Sequence, residues 1–347
     1  MLRRRVLRSY VINTLVLCGI ALAASGRSNK DQQIEKLPPG KNVLWTDPGD
    51  ISISTLDFAH GQGGVDGEPQ PPFTFLKEDL GGTNPKVTVK DAKGATWSVK
   101  FGDEASPQVF CNRLIWACGY VVETEYYVAD GQITGAHGLK RARSNIAKDG
   151  SFSGARFQLR PDSPKFIKAA NWSWKDNLFL GTRQLNGLKI LMMLVSNWDA
   201  KDTRDIDPSG KSASADTNLG IFQETSDDGI RYLFFVDDWG ASMGRWGHSP
   251  ARSKWDCESY RSQTADFVRG VHNGVVEWGF TGKHDHDITQ RIRVEDVGWL
   301  LQYLGQITDD QLRAGLASAG ATPKQVECFG SAIRNRIGQL QRIASSE

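Results

Sequence analysis

Residues 230–242 read IRYLFFVDDWGAS, an apolar run that ends in two carboxylates, Asp237 and Asp238, followed by Trp239 and Gly240. TNLGIFQETS (217–226) stands just before it, with Asp227, Asp228 and Gly229 between the two. That linkage has turn chemistry, so the pair predicts a hairpin whose second strand delivers Asp238 to its end. Further upstream, TRQLNGLKILMMLVSNW (182–198) is a strongly apolar helix candidate, and Asp199 follows it directly. Downstream, RVEDVGWLLQYLGQI (293–307), TDDQLRAGLASAG (308–320) and TPKQVECFGSAIRNRIGQLQRI (322–343) each begin near a cap or a proline and predict helices.

Toward the N-terminus the period changes. PFTFLKED (72–79), KVTVKDA (86–92) and ATWSVKFG (95–102) alternate like strands and are separated by LGGTNPK and AKG turns, an antiparallel meander. Ser106–Gly119 is helical, with Val109, Leu114, Ile115, Ala117 and Cys118 at helical spacings, and VVETEYYVADGQI (121–133) predicts one or two further strands. Ser144–Asn177 reads as irregular. Strands first and helices later mean an α+β fold. The expected division is 25–56 linker and N-terminal extension, 57–135 antiparallel β-rich lobe and 136–347 α-rich lobe.

The first residues have another character. Arg3, Arg4, Arg5 and Arg8 precede an apolar run from Val11 to Ala24, with Ala21 and Ala23 in a small-x-small pattern. This predicts a signal peptide over 1–24 and an exported protein of the bacterial type, periplasmic or extracellular. The run is short of the ~20 residues a membrane span needs, and no span is expected after cleavage; an uncleaved signal would leave an anchor. Net charge is +2 and 24% of residues are charged, which marks neither a disordered chain nor a nucleic-acid binder. Four cysteines follow the signal. Cys111 and Cys118, seven apart on one helix, have Cα atoms about 10.5 Å apart, too far to bridge each other. In an oxidising compartment each would have to reach Cys257 or Cys328; otherwise they are free buried thiols.

Four features come in an informative order: Gly81-Gly82-Thr83 between strands, Lys100 on the third strand, Asp199 after the long helix, and Asp238 at a strand end. Phosphoryl transfer needs glycines that let backbone approach phosphates, a lysine to neutralise them, one aspartate to orient the attacking hydroxyl and another to hold the metal. The order resembles the protein-kinase-like fold superfamily over roughly residues 70–340. NWDAK (197–201) resembles the catalytic loop, and Asp238-Trp239-Gly240 resembles the DFG motif. With no strict GxGxxG and no HRD, it is similar to the atypical branch of HipA-type, phosphatidylinositol-kinase-like and secretory-pathway kinases.

The resemblance implies a two-lobed protein with ATP and Mg or Mn as cofactors. Gly81, Gly82 and Lys100 would contact the nucleotide, Asp199 would be catalytic, Asp238 would bind metal, and the phosphoacceptor or protein partner stays unknown. Departures accompany it. Five residues after Asp199, where the family has a metal-binding asparagine, stands Arg204, which cannot ligate a cation; Asn218 or Asp205 are the substitutes on offer. The helix partner of Lys100 is either Glu104, at the helix start, or a position one turn on that holds Gln108. Arg204, together with the scarcity of ATP outside the cytoplasm, favours the alternative, a catalytically inactive pseudokinase or binding module of the cell envelope. A glycan hydrolase is the third reading, though no carboxylate pair is singled out. His284-Asp285-His286-Asp287 would turn both histidines to one side if it were a strand, and a solvated loop is its ordinary reading.

Overall fold

The computed structural model describes residues 37–345 except Thr83, 168–169 and 207–216; the signal expected over 1–24 lies outside them. In chain order the strands are β1 (Lys41–Val43), β2 (Phe73–Asp79), β3 (Lys86–Lys90), β4 (Thr96–Phe101), β5 (Glu125–Thr134), β6 (Ser151–Leu159), β7 (Lys165–Phe166), β8 (Leu219–Ser226), β9 (Gly229–Val236), β10 (Val268–His272) and β11 (Val275–Trp278). The helices are α1 (Ala105–Ala117), α2 (Arg183–Leu194), α3 (Cys257–Ser262), α4 (Asp285–Thr289), α5 (Val294–Leu304), α6 (Asp309–Ser318) and α7 (Pro323–Ala344). The fold is α+β, with a β-rich N-terminal part and a helical C-terminal part.

The N-terminal part is a closed barrel in the order β2-β3-β4-β6-β5. Its pairs are antiparallel except the closing one, where β2 runs parallel to β5 through Phe73↔Ile133 and Thr74↔Thr134. Alternation fills the interior: Val87 and Val89 on β3, Trp97, Val99 and Phe101 on β4, Phe152 and Phe157 on β6. The alternate residues of β4 and β6 face outward, yet Ser98, Lys100, Arg156 and Gln158 are buried. They lie where α1 packs on the barrel, so this outer wall is polar and covered at once.

One sequence expectation changes here. The stretch from Ser144, read as irregular, contains the nine-residue strand β6, which lies beyond the boundary expected at residue 135. Gly154 interrupts it at φ 67°, so the alternation slips between Phe152 and Phe157, both of which enter the barrel. Within the segment expected as linker and N-terminal extension, Lys41–Val43 adds a parallel edge strand to β9 in the sheet β1-β9-β8-β7.

The helical part is built around α2, which is buried along nearly its whole length. Its start is capped by the Thr182 hydroxyl, and α6 and α7 start with reciprocal capping boxes, Thr308/Gln311 and Thr322/Gln325. Cys257 on α3 is disulfide-bonded to Cys328 on α7, with Cα atoms 6.1 Å apart. The bridge therefore joins the two cysteines expected to partner Cys111 and Cys118; those two are free thiols in the core side of α1, and burial pushes both up. Trp172, Trp174, Trp239, Trp246 and Trp278 are buried and belong to the core. No helix among the described residues is long and apolar enough to cross a membrane.

Candidate active site

Lys100 leaves the outer wall of β4 and is 8% exposed. An isolated ammonium is costly to bury, and two carboxylates compensate it: Glu104 at 2.6 Å and Asp238 at 3.6 Å. Glu104 immediately precedes α1 without capping it, so the turn after β4 itself brings the pair together; its other oxygen takes Lys254 at 2.9 Å. Burial works against the Lys100 charge, but Asp238 and Glu104 outweigh it and the nearby Arg156, and the pKa lies above the ordinary lysine value. For Asp238, burial would raise the pKa; Lys100, the Gly240 amide and Arg156 hold it below the usual carboxylate range. Its side chain is still 33% exposed, so the carboxylate remains reachable. Gly240 has a steric reason to be glycine: a Cβ there would sit 2.7 Å from the Glu104 Cβ and 2.9 Å from Asp238 Oδ1.

Asp199 follows the end of α2 after a tight turn in which Ser196 adopts φ 58°. Its amide donates to Asn197 Oδ1 at 3.1 Å, and Asn197 Nδ2 donates to the Asp238 carbonyl at 3.1 Å, so one carboxamide joins the two aspartate-bearing segments. Asn218 closes a second link: its Nδ2 donates to Asp199 Oδ2 at 3.2 Å, and its carbonyl accepts from the Asp237 amide at 2.9 Å. Lys201 Nζ lies 2.8 Å from Asp199 Oδ2. Lys100, Asp199 and Asp238 are thus joined in one network between the barrel and the helical part.

Arg204 does not enter it. Its guanidinium is held by Asp202 at 2.6 Å and Asp287 at 2.7 Å. Asn218, 19 residues after Asp199, is the asparagine that hydrogen-bonds the aspartate's side chain. Asp205, the other substitute, pairs with Lys283 and His284. The 284–287 run is not a strand: Asp285–Thr289 is a short helix, His284 turns to Asp205, and His286 turns to Gln290.

Gly81 and Gly82 sit in the β2–β3 turn, whose register, Asp79↔Lys86 and Lys86↔Lys100, puts them at the Lys100 end of the barrel. The Gly81 amide donates to Asp79, and the carbonyls of Leu80 and Gly81 accept from Arg141 at 2.9 and 2.8 Å. Gly82 has φ 72°, which glycine takes without strain. The turn is held by these neighbours rather than by Lys100 or Asp238. Thr83 lies outside the described residues.

Three members of the network were not singled out from the sequence. Lys201 stands inside the NWDAK run, two residues after Asp199, and its charge was the available signal. Asn197 opens the NWDAK run and Gln108 was weighed only as a partner for Lys100; their partners on the 237–239 segment lie 41 and about 130 residues away, and nothing local points to those bonds.

No family model matches the chain, and no curated protein matches it. Among solved structures it is similar in shape to kinases. One is the Helicobacter pylori proinflammatory kinase CtkA, at 11% identity and a TM-score of 0.48 over 80% of this chain and 98% of that one. Another is the Golgi casein kinase, at 10% identity and a TM-score of 0.36 over 85% of this chain and 76% of that one.

Proposed function

We propose that the chain is a kinase-like phosphotransferase that moves the terminal phosphoryl group of ATP to a hydroxyl acceptor with Mg or Mn. The carrying observation is the single network in which Lys100 meets Asp238 at 3.6 Å and Asn197 joins Asp238 to Asp199.

The donor set fits a hard divalent cation. The Asp238 carboxylate would be an oxygen ligand, and Asn218, which spends its amide nitrogen on Asp199, has its side-chain oxygen left to offer. A bound cation supplies charge neutralisation for the phosphates. Lys100 and Lys201 bring two further positive charges to the same network. In the transfer, the acceptor oxygen bonds to the terminal phosphorus as the bond to the leaving nucleotide oxygen breaks. Asp199 orients the acceptor hydroxyl and receives its proton, with its carboxylate held by Lys201 and Asn218. Gly81 and Gly82 are offered as the backbone that approaches the nucleotide from the barrel side.

The inactive alternative drew on Arg204 and on the scarcity of ATP outside the cytoplasm; the pairing of Arg204 with Asp202 and Asp287 weakens the first ground, and the second stands. The proposal keeps the protein outside the cytoplasm after signal cleavage. The Cys257–Cys328 bond supports this, because such bonds persist in oxidising compartments.

The test is thermal unfolding with ATP and either Mg or Mn. A ligand that binds only the folded state raises the melting temperature, by an amount equivalent to about 2.7 kcal/mol at one hundred times its dissociation constant. We expect a metal-dependent rise, and we expect Asp238→Ala to abolish the metal dependence. No rise at millimolar nucleotide with either metal would end the phosphotransferase reading.

A further inference from the structure

Glu104, Gln108 and Asn112 are spaced i, i+4, i+8 and form an inward polar stripe on α1. Glu104 meets Lys100 and Asn112 meets Glu125 at 2.9 Å. Gln108, 1% exposed, does something different. Its Oε1 accepts from the Trp239 amide at 2.6 Å, and its Nε2 donates to the Asp237 carbonyl at 3.2 Å and to Glu125 Oε1 at 3.3 Å. One side chain therefore grips the backbone on both sides of Asp238, as a neighbouring strand would. The orientation of the carboxamide is fixed by its partners: only its oxygen can accept from an amide, and only its nitrogen can donate to a carbonyl. A flipped carboxamide would lose both backbone bonds.

The other bonds around Asp238 do not replace this grip. The Asp237 amide goes to Asn218, the Asp238 carbonyl accepts from Asn197, and the Gly240 amide goes to Asp238 Oδ1 at 2.8 Å. The Trp239 amide and the Asp237 carbonyl are left to Gln108. Trp239 is 1% exposed, so no water substitutes without local opening.

We propose that Gln108 is the positioning residue for Asp238. It fixes the two flanking peptide units to α1, holds the Asp238 carboxylate toward Lys100, and so sets the affinity for the divalent cation. The affinity clause rests on the reading of Asp238 as a metal ligand; the backbone grip does not. Partners that orient a ligand without touching the metal typically change affinity 10–100-fold when removed.

Two variants of the full chain, with the disulfide intact, test this. Gln108→Met keeps the volume and removes all three bonds. Gln108→Glu keeps an acceptor for the Trp239 amide, loses the donor to Asp237 and to Glu125, and turns its second oxygen toward the Glu125 carboxylate. The readouts are amide hydrogen exchange at Trp239, with amides in α7 as the internal reference, and the Mg or Mn midpoint of the thermal shift in ATP. For Gln108→Met we expect Trp239 exchange to accelerate about 10-fold or more while α7 is unchanged, and the metal midpoint to rise about 10-fold. Gln108→Glu should keep Trp239 protected, and it decides the matter if the methionine variant does not fold. Unchanged Trp239 exchange and an unchanged midpoint in Gln108→Met overturn the proposal, as does lost Trp239 protection in Gln108→Glu. If the wild-type protein itself shows no metal-dependent shift, the metal reading fails, and Trp239 exchange alone then decides whether the grip exists.

Discussion

The molecule carries two clusters of opposite charges on neighbouring segments, and they differ in what they leave open. In the first, Asp238 spends one oxygen on the Gly240 amide and turns the other to Lys100 at 3.6 Å, beyond hydrogen-bond length, with a third of the side chain exposed. In the second, Asp202 is fully buried and accepts from Arg204 Nε at 2.9 Å and Nη2 at 2.6 Å, from the Arg204 amide, from Ser173 and from the Trp174 amide. Asp205 takes Lys283 on one oxygen and His284 with the Asp202 amide on the other. Ligand atoms of Asp202, Asp205 and His284 lie within 4.8 Å of one another, a spacing that would suit a metal. Yet every carboxylate oxygen there already has a cationic or amide partner. Spacing alone does not make a ligand site; unspent acceptor capacity on a reachable carboxylate does.

The largest expected effect follows from that saturation. Asp202→Ala would leave the Trp174 amide, Ser173 and one side of Arg204 without a partner in the interior, and should cost about 3 kcal/mol or more. Asp238→Ala in the absence of metal should cost about 1 kcal/mol, because Glu104 still answers Lys100. Urea unfolding of both variants measures the contrast. Equal losses would make Asp238 another structural ion pair and break the comparison.

Acid sensitivity sharpens it at smaller amplitude. For Asp202 and Asp205, burial would raise the carboxyl pKa, but Arg204 and Ser173 around the first, and Lys283 and His284 around the second, hold both below the ordinary 3.8. A depressed folded value means stability that is present above the unfolded value and lost as pH falls through the folded one. The stability of the wild type should therefore drain below about pH 4. Asp202→Asn, less stable at neutral pH, should show a shallower acid slope. Unfolding midpoints between about pH 2 and 6 read this, and an unaltered slope in the variant would remove Asp202 from the acid response.

What the sequence disclosed follows the same division between local and distant causes. β2, β3 and β4 were legible because one face of each enters the barrel and the other does not, so hydrophobicity alternates. β6 was hidden because Gly154 breaks its alternation: Phe152 and Phe157 stand five residues apart yet both enter the barrel. The order of Lys100, Asp199 and Asp238 was readable as chemistry, since each residue stands at the end of a recognisable element. Asn218 was only one of two substitutes on offer, since the chain between Lys201 and Asn218 makes residue counting useless. The Cys257–Cys328 pairing was beyond reach, because connectivity depends on which helices pack together.

The smallest effect bears on that counting. Arg204 stands five residues after Asp199, where the resembled family has its metal-binding asparagine, and Arg204→Asn would install that residue. If spacing governed the site, the variant would bind metal more tightly. The structure argues otherwise, because residue 204 belongs to the saturated cluster: its amide and guanidinium both go to Asp202, and Nη1 reaches Asp287 at 2.7 Å. The guanidinium is a third exposed, so its loss should cost no more than about 1 kcal/mol beyond the desolvation that Asp202 then suffers. The metal midpoint of the ATP thermal shift should not move. A lower midpoint in Arg204→Asn would show that this segment reaches the metal, and Asn218 would then lose its place as the oxygen donor beside Asp199. An unchanged midpoint, with Asn218→Ala raising it, would fix the donor by geometry across a 19-residue separation rather than by the five-residue count.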